Sequence, residues 1–384
     1  SAGRAFKRDG ASTLAMHVVG RETGDDDEQL PTGELGRYLA RDGSVGAPVG
    51  IDLDRPHAGL VVGKRGAGKS HTLGVLAEAA ARARGIAPVV VDPMDAFTGL
   101  AATADADAAV PAHVVGDPTI RADAIPAAKW PELVGLDPAG GAGALVWEAA
   151  TVATTLSGMF EQVTDSEGES SAAPTHRRAA RNHLDRARDW GVFDPKGLRA
   201  RDLFGSEVTV LSLAGVDDAP TSAVVGAVAR LLYDARTGGD PPPRLPWLFV
   251  DEAHVAVDGV AGAALRTLLT RGRAPGVSLV LATQRPSALP GVAASQADLL
   301  VAHRLTSKAD IDALAAASPT YLSGTVRERL PTGCGEALVV DDATESTHTV
   351  RVRERQTPHG GETPRASERA GMENDRWERP YGEV

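Results

Sequence analysis

The sequence predicts an α/β protein built on a mostly parallel, doubly wound sheet. Short apolar runs recur along the chain, and Ala- and Leu-rich stretches of helical character separate them. A parallel strand is covered on both faces, so it is apolar along its whole length, as these runs are. The predicted strands are Gly59–Gly63, Pro88–Asp92, Val208–Leu213, Leu248–Val250, Val277–Ala282 and Leu299–Ala302. The predicted helices span about 70–84, 219–236, 259–272 and 308–317.

Composition divides the chain into three parts. Residues 1–48 are polar, Gly-rich and charged, and they predict a partly irregular lead-in with one short helix near Glu34–Arg41. Residues 49–353 alternate between strand and helix and predict the α/β core, with a helical insertion at about 100–205. Helical sequence in that insertion flanks a polar break at Asp165–Ser171, which we expect to be a mobile loop. Residues 354–384 are polar and predict a disordered tail.

The bulk composition excludes several classes of protein. Hydrophobic residues make up 42% of the chain, enough for a substantial core, and no apolar run has the roughly 18 residues of a membrane span. No secretory signal is evident, and the single Cys334 excludes an intramolecular disulfide, so we expect a cytoplasmic protein without membrane insertion. The net charge of −11 argues against a generally basic nucleic-acid binder, so any DNA contact needs a local patch.

Residues Gly63–Ser70 match the phosphate-binding loop G-x-x-x-x-G-K-[ST] at every fixed position, between a predicted strand and a predicted helix. The glycines let successive backbone N–H groups point at phosphates, and the helix N-terminus adds a positive dipole. We expect Lys69 to act catalytically at the β- and γ-phosphates of ATP, and Ser70 to bind Mg²⁺. The predicted nucleotide-binding residues are Gly63, Lys64, Arg65, Gly66, Ala67, Gly68, Lys69, Ser70 and His71.

Another apolar strand, Trp247–Val250, ends in the adjacent carboxylates Asp251 and Glu252. With a phosphate-binding loop upstream, Asp251 is predicted to hold Mg²⁺ and Glu252 to polarise the attacking water. The alternative is an ordinary strand end with two solvated acids. The adjacent glutamate favours hydrolysis over transfer of the phosphoryl group to another substrate.

Two further strand ends carry polar candidates with an open alternative. Asp92 ends the strand after the P-loop helix, and we expect it beside the nucleotide strand, where it helps to place water or metal. Its alternative role is to cap a turn before Pro93. Gln284 follows the strand Val277–Ala282 and is predicted to contact the γ-phosphate or water, although it also fits a polar strand terminus.

Taken in order, the motifs resemble the HerA/FtsK superfamily of ring-forming DNA translocases, and within it the HerA-like group. The resemblance covers roughly residues 48–353, and the ordered combination is far more specific than the P-loop alone. The motifs that carry it are Gly63–Ser70, Val91–Pro93, Leu248–His254, Arg271–Arg273, Ala282–Ser287, Ser295–Asp298, His303–Leu305, Asp310 and Leu330–Glu336.

This resemblance implies a RecA-like P-loop NTPase core that works as a hexameric ring, with ATP at subunit interfaces and duplex DNA in the channel. It implies that Arg271 or Arg273 is an arginine finger acting on the neighbour's nucleotide. The alternative is a pair of cations that favour a helix C-terminus through its dipole. HerA proteins carry an N-terminal β-barrel, whereas about sixty polar residues precede the P-loop here, so we expect no barrel. A nuclease or other effector is a possible partner.

The most basic segment is Pro174–Arg201, which carries a local charge of +5 in an acidic chain (eight Arg or Lys minus three Asp). A cationic surface is what phosphate binding requires. We expect this segment to face DNA, although a solvated helix face paired with neighbouring acids is the open alternative. The candidate DNA contacts are Arg177, Arg178, Arg181 and Arg188.

The sequence therefore predicts an ATP-hydrolysing, ring-forming DNA translocase or helicase-like motor of the HerA type, with ATP and Mg²⁺ as cofactors. One alternative is a nucleotide-switched assembly or scaffold ATPase for an effector. Another is a protein-secretion-type motor, which the acidic charge permits and the basic segment disfavours.

Overall fold

The computed structural model describes residues 16–21, 30–101, 110–165, 173–317 and 326–360. Twelve strands in this described part form one sheet. The strands are β1 (His17–Val19), β2 (Thr32–Leu39), β3 (Val45–Asp52), β4 (Ala58–Val62), β5 (Ile86–Asp92), β6 (Ala112–Gly116), β7 (Val208–Ser212), β8 (Leu245–Val250), β9 (Ser278–Thr283), β10 (Leu299–Ala302), β11 (Glu336–Asp341) and β12 (Ser346–Val352).

Eleven α-helices lie in the same described ranges, and several are single turns. They are α1 (Lys69–Arg82), α2 (Trp130–Leu133), α3 (Gly141–Val152), α4 (Leu156–Asp165), α5 (Pro174–Asp189), α6 (Asp218–Thr237), α7 (His254–Val257), α8 (Gly262–Arg271), α9 (Gly291–Ser295), α10 (Lys308–Ala317) and α11 (Val326–Arg329). None of these described helices is both long and apolar enough to cross a lipid bilayer.

The strand order is β1-β3-β2-β12-β11-β10-β4-β9-β8-β5-β7-β6. The seven strands from β10 to β6 are parallel, whereas β11, β12, β2 and β3 continue the sheet through antiparallel pairs. All residues of β4, β5 and β9 are buried, as expected for central parallel strands. The predicted α/β class, with a mostly parallel sheet and helices on both faces, is confirmed.

Two apolar cores cover the two faces of the sheet, because successive side chains of a strand point to opposite sides. In β4, Leu60 and Val62 belong to one core and Val61 belongs to the other. Helix α1 packs on the Val61 side, and helices α6 and α8 pack on the Leu60 side. This three-layer arrangement places the P-loop at the edge where the parallel strands end.

The prediction of a short helix near Glu34–Arg41 is wrong, because that segment forms the antiparallel strand β2. The sheet requires a glycine here: a Cβ on Gly36 would lie 2.1 Å from the backbone oxygen of Arg351 in β12. The Leu35 side chain of this strand is fully buried in the core on the α1 side of the sheet. Pairing with distant strands therefore overrides local preference.

The expected position of Asp92 beside the nucleotide strand is also wrong. Strands β9 and β8 separate β5 from β4 in the sheet. Asp92 is fully buried, and its carboxylate accepts hydrogen bonds from the backbone N–H groups of Met94, Ala96 and Phe97 at 2.8–3.2 Å. This geometry is that of the turn-capping alternative, since the carboxylate holds the turn after β5.

The helices α2 to α5 lie between β6 and β7, where the helical insertion was expected, and α3, α4 and α5 pack against one another. Strand β6 falls inside the same range but pairs with β7 as the edge of the sheet. The polar break lies outside the described residues from 166 onward, and so does the tail from 361. Residues 354–360 belong to the described part and pack on α1 through Glu78.

Candidate nucleotide-binding and catalytic site

The phosphate-binding loop curls between β4 and α1 with two glycines in conformations that other residues rarely adopt. Gly66 has φ of +75° and Gly68 has φ of +118°. Helix α1 begins at Lys69, directly after Gly68. The backbone N–H groups at this helix start therefore have no earlier helical turn to bond to, which makes them available for an anion.

His303 braces the loop from beneath, a role that the sequence motif alone did not reveal. Its Nδ1–H donates to the Glu336 carbonyl at 2.8 Å, and the Thr72 hydroxyl donates to its Nε2 at 2.8 Å. Burial lowers the pKa of His303 to about 4, so the ring is neutral and keeps this tautomer. A Cβ on Gly63 would lie 2.7 Å from the His303 Cβ, so the loop has to pass this ring as glycine.

Ser70 in the first turn of α1 meets Asp251, which directly follows strand β8. The Ser70 hydroxyl donates to Asp251 Oδ2 at 2.7 Å. Burial raises the pKa of Asp251, opposed by the Ser70 hydrogen bond and by the charge of Lys69. Mg²⁺ prefers oxygen ligands, and this pair offers the Ser70 hydroxyl and the buried Asp251 carboxylate. The residues therefore fit the predicted metal.

Glu252 stands beside this pair in a strained backbone conformation, with φ of +46°. Such strain in a residue other than glycine concentrates at functional sites. Burial raises the pKa of Glu252, while the charge of Lys69, the backbone N–H of Gln284 and the charge of Arg65 oppose that shift. His254 Nδ1 lies 3.3 Å from Glu252 Oε2, and also 3.3 Å from the Thr283 hydroxyl.

A cavity of about 600 Å³ opens over the loop and brings together seven of the predicted residues. It is lined by Arg65, Gly66, Gly68, Lys69, Ser70, His71 and Glu252 from the predicted set. Lys69 is 5% exposed, and its Nζ donates to the Lys64 carbonyl at 3.5 Å. This size falls in the range of pockets for small-molecule ligands.

Arg271 and Arg273 lie at the opposite edge of the sheet from this cavity. Both precede β9, whereas Gln284 follows it, and six residues of strand span about 20 Å. Arg273 Nη1 donates to Asp298 Oδ2 at 3.2 Å, and Asp298 also accepts the backbone N–H of Ala58 at the start of β4. The fold therefore does not bring either arginine to the nucleotide cavity of its own chain.

His57 pairs with Asp298 at this same edge of the sheet, and the pairing predicts that the stability of the protein depends on pH. Burial lowers its pKa, but the carboxylates of Asp298 (3.2 Å) and Asp52 (3.8 Å) outweigh burial and raise the pKa to about 9. A raised pKa gives stability that is complete below about pH 6.5 and is lost as the pH rises through about 9. We expect a loss on the order of 3 kcal/mol, measured by urea unfolding from pH 6 to 10.

The matched variants are His57→Gln, which removes the group, and His113→Gln at an exposed position of the edge strand β6. His57→Gln flattens the profile above pH 6.5, and His113→Gln leaves it unchanged. A wild-type profile that is already flat over this interval contradicts the assignment of a charged His57.

The candidate DNA-binding arginines lie on α5, whose inner face is buried against the neighbouring helices. Arg177, Arg178 and Arg181 line one groove of about 420 Å³ between α4 and α5. Arg188 differs from them, because it forms an ion pair with Asp185 and lies 5.0 Å from the Phe160 ring centre. Three of the four predicted contacts are thus grouped, and the fourth is held by its own helix.

No family model matches this chain, and no curated protein sequence matches it. Solved structures do. VirB4 of Thermoanaerobacter pseudethanolicus is similar with a TM-score of 0.64 at 17% identity, over 86% of this chain and 98% of that one. The bacterial conjugative coupling protein TrwBΔN70 is similar with a TM-score of 0.57 at 16% identity, over 84% and 90%. The chain therefore shares the fold of VirB4 and TrwBΔN70 over most of its length.

Proposed function

We propose that this chain is an ATP-hydrolysing motor that assembles into a ring and moves DNA. The observation that carries the proposal is the hydrogen bond of 2.7 Å between Ser70 and Asp251, with Glu252 beside them in the cavity of the phosphate-binding loop. A loop that only binds nucleotide needs neither a buried aspartate bonded to its serine nor a strained glutamate beside them.

The loop holds the triphosphate by its backbone and by one cation. The first residues of α1 line the cavity, and their N–H groups and the helix dipole favour negative charge there. Lys69 is buried at the same place, so its charge acts on the β- and γ-phosphates with little screening by water. Ser70 and Asp251 would hold Mg²⁺, which would supply positive charge to the phosphate oxygens.

Glu252 takes a proton from the attacking water. Its raised pKa makes it a better base than a solvated glutamate, because a general base works best with a pKa near the working pH. Burial lowers the pKa of His254, so that ring is neutral and orients Glu252 without neutralising its charge. Gln284 donates its backbone N–H to Glu252, and we expect its side-chain amide to contact the same water.

The arginines at the far edge of the sheet support assembly into a ring. Arg271 is exposed at the end of α8, about one strand length from its own nucleotide. Such a residue serves catalysis only in trans, at the nucleotide of an adjacent subunit, where a guanidinium stabilises the charge of the transition state. Arg273 offers the same group but is held by Asp298.

The load that we propose is duplex DNA, held by the arginines of the α4–α5 groove. TrwBΔN70 is a bacterial conjugative coupling protein, and its fold extends over most of this chain. The groove supplies a local positive surface in a chain whose net charge is −11. A HerA-type role, a nuclease or other effector and a cytoplasmic location stay predictions.

The decisive experiment measures the ATPase rate with and without duplex DNA, together with the mass of the protein in the presence of ATP. We expect DNA to stimulate hydrolysis and ATP to promote a multimer. A monomer whose ATPase ignores DNA contradicts the motor and leaves the scaffold alternative, in which ATP binding alone drives assembly.

Charge reversal at the groove tests the DNA contact. We expect Arg177→Glu with Arg181→Glu to abolish most DNA stimulation while the rate without DNA stays unchanged, because the groove lies on α5, away from the P-loop. The matched control is Arg186→Glu with Arg201→Glu, which reverses two exposed arginines outside the groove. Equal DNA stimulation in the groove variant and the control contradicts the assignment.

A further inference from the structure

Residues 353–360, here called the C-terminal strap, follow β12 and cross α1 beside the nucleotide cavity. The anchor is Glu78 of α1, whose side chain is fully buried. Its carboxylate accepts from Arg353 Nη1 at 2.7 Å, from the backbone N–H groups of Gln356 and Thr357 at 2.9 Å, and from the Thr357 hydroxyl at 2.7 Å. A segment with this many bonds to one buried carboxylate has a defined path.

Two glycines leave room for the strap. A Cβ on Gly74 of α1 would lie 2.7 Å from Arg355 Nε, and a Cβ on Gly99 would lie 2.2 Å from the Pro358 carbonyl oxygen. The Arg355 side chain is 2% exposed and lies 5.7 Å from the Phe97 ring centre. The surface beneath the strap is therefore shaped for it.

The strap also forms one wall of the nucleotide cavity. Val352 at the end of β12 lines that cavity together with Glu354, His359 and Gly360 of the strap. His71, which follows Ser70 in the first turn of α1, donates from Nε2 to the Arg353 carbonyl at 2.8 Å. The strap is thus attached directly to the turn that carries the phosphate-binding residues.

This wall has the chemistry of a nucleoside subsite. Arg355 Nη1 donates to His359 Nδ1 at 3.0 Å, which places the ring proton of a neutral His359 on Nε2. Met94 lines the same cavity and is 61% exposed, which leaves its thioether open to a ligand. The imidazole of His359 and the exposed thioether of Met94 match the flat base of a nucleoside. The carboxylate of Glu354 matches its ribose hydroxyl groups.

We infer that the C-terminal strap is the nucleoside-binding wall of this site, with His359 packing on the base of ATP and Glu354 accepting hydrogen bonds from the ribose hydroxyls. The inference rests on the proposed ATPase function, since the phosphates must occupy the P-loop for the nucleoside to lie here. The P-loop then binds the triphosphate, and the strap distinguishes ATP from a bare phosphate chain.

The test compares two probes on the full chain. Affinity for a fluorescent ATP analogue is measured directly, and affinity for inorganic tripolyphosphate is measured by competition. We expect His359→Ala to weaken ATP binding by about fivefold or more, the range of base–aromatic contacts, and to leave tripolyphosphate binding unchanged. Gln356→Ala is the matched control, because Gln356 belongs to the strap and does not line the cavity.

A second variant, at Glu354, tests the ribose contact and leaves the His359 ring in place. We expect Glu354→Gln to reduce the preference for ATP over 2′,3′-dideoxy-ATP, while tripolyphosphate affinity stays at the wild-type value. Glu354 is exposed and its side chain anchors nothing in the strap, so this change does not threaten the fold.

The possible results distinguish a failure of the proposed ATPase function from a failure of the strap inference. Wild-type protein that binds neither ATP nor tripolyphosphate overturns the proposed function itself. Wild-type protein that binds ATP, with His359→Ala and Glu354→Gln both matching it for every probe, overturns the strap inference and leaves the ATPase intact. Equal weakening of ATP and tripolyphosphate also overturns the inference, because it indicates damage to the P-loop.

Discussion

Glu252→Gln is expected to lower the rate of ATP hydrolysis by about 10²- to 10⁴-fold and to leave ATP binding intact. The amide keeps the shape of the side chain but cannot accept a proton from the attacking water. Lys69, Ser70 and the backbone of the phosphate-binding loop remain in place, so the affinity for ATP is retained. Phosphate release measures the rate, and titration with a fluorescent ATP analogue measures the affinity.

Glu345→Gln is a matched control for this variant. Glu345 is a second glutamate with a positive φ, of +50°, and it lies exposed in the turn between β11 and β12. The same chemical change there is expected to leave both rate and affinity unaltered. A Glu252→Gln protein that hydrolyses ATP within about threefold of the wild-type rate would exclude Glu252 as the base.

Glu78→Ala is expected to destabilise the protein by about 3–5 kcal/mol, the cost of breaking a buried ion pair by removing one partner. Arg353 loses its ion pair, and the nearly buried Arg355 loses the carboxylate that lies 4.0 Å away. Two backbone N–H groups of the strap also lose their acceptor. The free energy of unfolding, from urea titration at constant pH, measures the effect.

Glu148→Ala supplies the comparison for this experiment. Glu148 is an exposed glutamate within α3, so its removal is expected to change the free energy of unfolding by about 0.5 kcal/mol or less. If Glu78→Ala costs no more than Glu148→Ala, the strap is not anchored as described, and the nucleoside wall has no support.

Much of the site follows from local sequence. Gly63–Ser70 fixes a loop between a strand and a helix, and Asp251 and Glu252 end an apolar strand, because ligands collect where parallel strands end. Their meeting at 2.7 Å confirms that the two motifs share one edge of the sheet. The roles of Lys69, Glu252 and Gln284 in catalysis, of the arginines in trans, and of α5 at DNA stay predictions.

Other parts of the site have no local signal. His303 stands in a recognised motif, but its bonds to Thr72 and Glu336 join residues 231 and 33 positions away. Glu78 is the only acid in the Ala-rich helix α1, and no motif in the sequence singles it out. Its partners lie 275 to 279 residues further on, and two of them, Gln356 and Thr357, belong to the segment from residue 354 whose polar composition predicted disorder.

The sequence by itself determined the six parallel strands β4, β5, β7, β8, β9 and β10 and the position of the candidate phosphate-binding loop, because apolar runs and glycine conformations are properties of neighbouring residues. The tertiary structure decided the order of the strands, the conversion of residues 32–39 into strand β2, and the attachment of the strap to α1. These depend on contacts between distant residues. Backbone hydrogen bonds to β3 and β12 outweigh the local helical preference of the β2 segment. The buried Glu78 carboxylate needs hydrogen-bond donors, and those that the strap supplies outweigh its local preference for disorder.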